Sequence, residues 1–143
     1  MALALAAVAC GTSDDLCAVD VDFPASPSAT AADVQPILAH NCAVGGCHLS
    51  APGAGGLVLA VASPTWPDAL IGVPAHENPA MDLVAAGDPD RSWLVRKLAG
   101  SFCGVSCDPA LGCGAAMPFG TPLSDADRGT VAAWVLAGAP EAW

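Results

Sequence analysis

Apolar residues recur at helical spacing in three stretches of the chain, and each stretch has its own start and stop signals. In residues 34–41, Val34, Ile37 and Leu38 form an apolar stripe. Thr30 or Asp33 is placed to cap this helix, and Pro36 is expected in its first turn, where a missing N–H costs nothing. A second helix is expected over 89–99, with Asp88 as cap, Pro89 at the first helical position and Gly100 as the stop. Asp88 and Asp90 at its start and Arg96 and Lys97 at its end match the helix dipole. A third, over 125–137, opens on Ser124-x-x-Asp127, like a capping box, and stops at Gly138 and Pro140. Val131, Trp134, Val135 and Gly138 recur along it.

Between these helices run Gly- and Pro-rich segments, 49–87 and 101–123, too long to be idle connectors. Leu57-Val-Leu-Ala-Val61 reads as a short strand, and 66–71 as a short helix capped by Thr65 or Ser63. The expected fold class is therefore mainly α: three or more helices with long loops.

The first ten residues are apolar, with Ala7 and Ala9 just before Cys10, the A-x-A pattern of signal cleavage. Small residues, then Cys10, then the polar Gly11-Thr-Ser-Asp-Asp15 resemble a bacterial lipoprotein signal, in which Cys10 would be acylated. The organisation this implies is 1–10 as signal or lipoprotein-like segment, 11–32 as tether and 33–143 as the folded domain. The tether has no helical period, although Val19-Asp-Val21-Asp-Phe23 alternates as a strand would. No later segment reaches the ~18 apolar residues needed to span a bilayer. The expectation is an exported protein, held at the outer side of a bacterial membrane by lipid or free in the periplasm, with its cysteines in an oxidising compartment.

Composition sharpens this picture. The 143 residues suit one domain; 54% are apolar and 13% charged, which excludes a disordered acidic tail. Much of the apolar share is Ala, and four Trp, three Phe and no Tyr leave little aromatic volume for a core. Such a chain needs a staple: disulfides, a metal or a large cofactor. Four Lys and Arg against fourteen Asp and Glu give a net charge of −10, which excludes nucleic acid as a partner and disfavours anionic membranes. The cysteine count, seven, is odd, so at least one cysteine has a job other than pairing.

The chemistry sits where the first helix ends, in Cys42-Ala-Val-Gly-Gly-Cys47-His48. A c-type haem is held by two thioethers from Cys and a ring nitrogen from the His that follows, usually as C-x-x-C-H. Here the spacing is C-x4-C-H, and Gly45-Gly46 is the pair suited to turning the two extra residues tightly. Met is the usual second ligand in electron carriers, and Met117-Pro118 lies in the loop before the last helix.

These pieces stand in a telling order: Val34-Gln-Pro36-Ile-Leu38 before Cys42, then Gly87-Asp-Pro-Asp-Arg-Ser-Trp-Leu94-Val-Arg-Lys-Leu98, then Met117-Pro-Phe-Gly120-Thr-Pro-Leu-Ser124, then Ala133-Trp134-Val-Leu-Ala-Gly138. Over roughly 32–143 the chain resembles the class I monohaem cytochrome c family, in its exported bacterial form. The resemblance implies a cytochrome c-like fold around one covalent haem c, with Cys42 and Cys47 as thioether anchors, His48 as proximal ligand and Met117 as distal ligand. It implies that the last helix crosses the first, with Trp134 at the contact. Its activity would be outer-sphere transfer of single electrons, with no catalytic residue of its own. A redox partner with a basic docking patch would suit the −10 charge.

Other readings stay open at this stage. Cys42 and Cys47 are also placed to form a disulfide beside an ordinary His48. His76 and Met81 lie in a loop that can fold over a haem, whereas His40 is awkwardly placed on the anchoring helix. Cys17, Cys103, Cys107 and Cys113 fit two disulfides in three connectivities, bracing the Met117 loop and tying the tether through Cys17. A metal site built from Cys103, Cys107 and Cys113 lacks an adjacent His. Trp66, Trp93 and Trp143 read as packing residues. Two further function classes remain: a cofactor-free, disulfide-stapled exported binding module, and a haem enzyme of peroxidase-like or cytochrome-subunit type.

Overall fold

The structure, a computed structural model, describes residues 28–141, so the expectations for Cys10, Cys17, Trp143 and the segment 1–27 lie outside the described residues. Within them the fold is mainly helical: α1 (Ala31–Asn41), α2 (Trp93–Ala99) and α3 (Asp125–Leu136), joined by short 3₁₀ turns and long irregular loops. None of the helices among the described residues is long and apolar enough to cross a membrane.

Helix α1 starts three residues earlier than the apolar stripe suggested. Thr30 is its N-cap and Asp33 its N3 residue, and the two close a capping box, with the Asp33 carboxylate accepting from the Thr30 N–H at 2.8 Å. Asp33 is thereby held below the usual carboxylate range, by the Thr30 backbone and then its hydroxyl. The earlier start places Pro36 in the second turn rather than the first. Its missing N–H therefore removes one bond from the helix ladder, at an exposed position.

The expected helix over 89–99 divides in two. Pro89–Arg91 forms a 3₁₀ turn capped by Asp88, whose side chain accepts from the Arg91 N–H, and α2 begins only at Trp93. Ser92 separates them in extended backbone (φ −97°, ψ 116°). Fully buried, its hydroxyl accepts from the Ala85 N–H and donates to the Asp88 carbonyl, both at 2.8 Å. A short polar side chain that bonds local backbone in this way competes with helix. Gly100 ends α2 in the left-handed conformation, as expected of a stop.

Helix α3 matches its pattern closely, with the Ser124 hydroxyl accepting from the Asp127 N–H. It packs against both α1 and α2. The crossing is lined by Val34 and Leu38 of α1 and Val131, Trp134 and Val135 of α3, all fully buried. Trp134 stacks at a tilt on Trp66, with ring centroids 5.5 Å apart, and its indole N–H donates to the Pro140 carbonyl. Trp66 opens a 3₁₀ turn, Trp66–Ala69, in place of the longer helix expected there.

The strand expected over 57–61 does not form, and no strand is found among the described residues. The Leu57 N–H donates to the Ala54 carbonyl and the Leu59 N–H to the His48 carbonyl. The backbone of this apolar run is thus consumed by the turn that follows the Cys-His motif, not by a neighbouring strand.

Candidate functional site

Helix α1 delivers its C-terminal residues straight into the motif. The Cys42 and Ala43 N–H groups both donate to the Leu38 carbonyl, which closes the helix. The motif then folds back on itself, with Cys47 N–H donating to the Val44 carbonyl and His48 N–H to the Cys42 carbonyl at 3.2 Å. Gly46, at φ +80°, supplies the left-handed step that this reversal needs. Gly45 takes no such conformation, so one glycine of the pair, not both, absorbs the longer spacing.

Cys42 and Cys47 are both free thiols. Cys42 is 8% exposed, and burial, with the neighbouring Cys47 sulfur adding to it, pushes its thiol up to about 11. Cys47 is exposed. The downstream cysteines differ: Cys107 and Cys113 form a disulfide with Cα atoms 5.2 Å apart, and Cys103 is disulfide-bonded too. The alternative metal site at Cys103, Cys107 and Cys113 is thereby overturned, because oxidised sulfurs offer no thiolate. No group of three or more His, Cys, Asp or Glu side chains among the described residues is arranged to hold a metal ion.

His48 is half-buried, and its Nδ1 lies 3.0 Å from the Leu57 carbonyl. A carbonyl can only accept, so Nδ1 is the donor here and Nε2 is the ring nitrogen left for another partner. This is the arrangement in which a histidine serves as a metal ligand: one ring nitrogen bonded to backbone, the other available. The Leu57 carbonyl lies close over Gly53, where a side chain's first carbon would come within 2.0 Å of its oxygen. Neither Leu57 nor Gly53 carries any chemical signature in the sequence.

Met117 lies half-buried in the loop between α2 and α3, and its N–H donates to the Lys97 carbonyl of α2 at 2.9 Å. Among the described residues no hydrogen bond joins this loop to the His48 turn: His48 follows α1, whereas Met117 is bonded to α2. Of the competing ligands, His40 bonds the Pro36 carbonyl of its own helix at 2.7 Å and lines an open cavity with Asp127 and Thr130 at the α1–α3 junction. His76 is exposed and Met81 half-buried, in the loop before α2.

The donor set fits a covalently held haem: two unoxidised thiols, an adjacent histidine with one nitrogen free, and a thioether side chain on a separate loop. The apolar surroundings fit as well. Leu49, next to His48, is 54% exposed, and Phe119, two residues past Met117, is 79% exposed. Large apolar side chains left uncovered beside both candidate ligands are what a large apolar group would cover.

Lys97 lies in the last turn of α2, as expected, but its side chain is buried. It is 6% exposed and pairs with Glu77 at 3.3 Å. Burial alone would push the Glu77 carboxyl up. Its own backbone N–H, the Lys97 charge, and hydrogen bonds from Lys97 and the Trp93 indole outweigh that and hold it below its ordinary value. A depressed carboxylate stabilises the fold above its ordinary value of 4.5 and loses that contribution as pH falls through the lower folded value. The stability gap between wild type and Glu77→Gln, read from urea midpoints, is therefore widest near neutrality and narrows below pH 4.5. A gap that stays constant from neutral to acid pH would mean that Glu77 is not ionised against Lys97.

Comparison with protein-family models, with curated proteins and with solved structures gives no match to this chain.

Proposed function

We propose that this chain is an exported c-type cytochrome that carries single electrons through one covalently attached haem. The observation that carries the reading is the His48 turn: Nδ1–H held on the Leu57 carbonyl, Nε2 free, and two unpaired thiols directly before it in a protein whose other described cysteines are oxidised. Cys42 and Cys47 would hold the haem, His48 would be the proximal ligand and Met117 the distal one. The haem supplies the one-electron couple. The chain's own residues anchor it, orient the histidine, supply the second ligand and exclude water through the α1–α3 core.

The charge distribution supports a basic redox partner. Lys97 is buried against Glu77, Arg128 pairs with Asp125, and Arg96 donates to the Asp90 and Cys103 carbonyls. Three of the four basic side chains are thus bonded within the chain, while none of the ten described carboxylates is buried and five of them are exposed. Export and a lipid anchor at Cys10 belong to the same reading and rest on the sequence alone.

The test is co-expression with a c-type maturation system, followed by haem staining of a denaturing gel. The wild-type chain is expected to stain, and a Cys42→Ala, Cys47→Ala double variant is not. Met117→Ala is expected to keep the covalent haem and lose the methionine-to-iron charge-transfer band. A band that survives this change moves the assignment to Met81, and one never present in the wild type moves it to His76. A wild-type chain without covalent haem defeats the proposal in favour of the cofactor-free, disulfide-stapled module. An open sixth position with peroxide turnover would instead make it a haem enzyme.

A further inference from the structure

We propose that Lys97 is the positioning residue for the segment that carries Met117, clamping that segment to α2 from both of its ends. Its functional consequence rests on the reading of Met117 as an iron ligand; the clamp itself rests on geometry.

An ammonium has three protons to donate and no lone pair. Lys97 finds three acceptors: the Cys113 carbonyl at 2.6 Å, the Ala115 carbonyl at 3.2 Å and Glu77 Oε1 at 3.3 Å. The Trp93 and Phe102 rings flank it, each with its centroid 5.4 Å from Nζ. The backbone of the same residue acts on the other end of the segment, since its carbonyl accepts from the Met117 N–H at 2.9 Å. Cys113 is pinned twice, by Lys97 and by its disulfide to Cys107.

The approach is close enough to dictate the residue between. A methyl group on Gly114 would lie 2.8 Å from Nζ, at a backbone φ of +68°. The Glu77 carboxylate completes the arrangement, anchored by the Trp93 indole N–H. A lysine is costly to bury unless it is paired and hydrogen-bonded, so a clamp with every proton placed is a built feature and not a stray contact. Its use follows from coordination chemistry. A thioether is a weak, neutral ligand, and a weak ligand holds a metal only if its loop is already in place.

Two variants test this. Lys97→Met keeps the stem between the rings and removes all three donated bonds. Gly114→Ala leaves Lys97, Glu77 and the core intact but pushes the ammonium off its carbonyls. The first readout is amide hydrogen exchange over 113–117, which needs no haem. Two of the three bonds, to the Cys113 and Ala115 carbonyls, hold the segment itself; at about tenfold in local opening for each, exchange there is expected to rise roughly a hundredfold in Lys97→Met. Amides of the α1–α3 core are expected to keep their wild-type rates. The second readout, on the haem-loaded protein, is loss of the methionine-to-iron charge-transfer band together with tighter binding of added imidazole.

Unchanged exchange over 113–117 in both variants overturns the clamp. Faster exchange with the band and imidazole affinity intact overturns its role in placing Met117, as does a band absent from the wild type. A wild-type chain that takes up no haem defeats the proposed function but not the clamp, which the exchange experiment then decides alone.

Discussion

Replacing Trp134 by Ala is expected to destabilise the domain by about 3–5 kcal/mol, the usual range for emptying a buried aromatic site. Trp134 is fully buried, and it is the largest side chain that α3 contributes to the crossing with α1. Removing it takes away the tilted contact with Trp66, a pair worth about 0.5–1.5 kcal/mol beyond its buried area. Against a typical total of about 5–15 kcal/mol, such a loss leaves the fold marginal. Urea unfolding measures it as a fall in midpoint with the slope preserved. Trp134→Phe is the control: it keeps an aromatic ring and gives up only some volume and the bond to the carbonyl of half-buried Pro140. A loss below about 1 kcal/mol in Trp134→Ala would mean that the crossing does not carry the core, since surface substitutions rarely exceed half of that.

The two helices of this crossing are legible in the sequence because their signals are local and periodic, whereas their crossing is implied only by the family resemblance. Thr30 with Asp33, and Ser124 with Asp127, announce two helix starts, and Gly100 and Gly138 announce two stops. What failed to read correctly also has local causes. The apolar stripe of α1 begins at Val34, yet the helix begins at Ala31, because the cap and not the stripe sets the first turn. Pro36 was misplaced with it. Ser92 sits inside a run that looks continuously helical, and only its burial beside Ala85 and Asp88 shows why the backbone leaves the helix there. The 57–61 run is apolar like a strand, but a strand needs a neighbour, and no second run of that kind lies close along the chain.

The candidate site divides the same way. Cys42, Cys47, His48 and Met117 stand out as candidates because side-chain chemistry at a given spacing is visible in sequence. The odd count of seven says only that the cysteines have unequal jobs; it is the structure that leaves Cys42 and Cys47 free and Cys103, Cys107 and Cys113 oxidised. The groups that hold those residues in place were not visible. Glu77 and Lys97 are twenty positions apart, and Leu57 acts through a backbone carbonyl that every residue possesses. One faint signal existed: Lys97 follows Trp93 by four positions, which puts it on the buried face of α2 instead of the exposed one.

The support behind His48 gives the second large effect. Gly53 has φ +65° and ψ 147°, a region open essentially to glycine alone. A methyl group there would lie 2.0 Å from the Leu57 oxygen and 2.7 Å from its carbonyl carbon, both backbone atoms that cannot turn aside. That oxygen is the acceptor for His48 Nδ1–H. Gly53→Ala must therefore either abandon its own conformation or drive the Leu57 carbonyl off the histidine. Strain at such a position runs at about 1–3 kcal/mol, and the lost hydrogen bond adds about 1 kcal/mol. The diagnostic result is at the ring and not only in stability. Nitrogen NMR of the haem-free protein is expected to show His48 as the Nδ1–H tautomer in the wild type and as a tautomer mixture in Gly53→Ala. Gly56→Ala separates the two causes, because Gly56 also has positive φ (+75°) but open space where the methyl would go. It is expected to lose stability through backbone strain while keeping a single His48 tautomer. If both variants mix the tautomers equally, the Gly53 contact is not what aims the histidine. If only Gly53→Ala does, a residue with no side chain sets which nitrogen His48 presents.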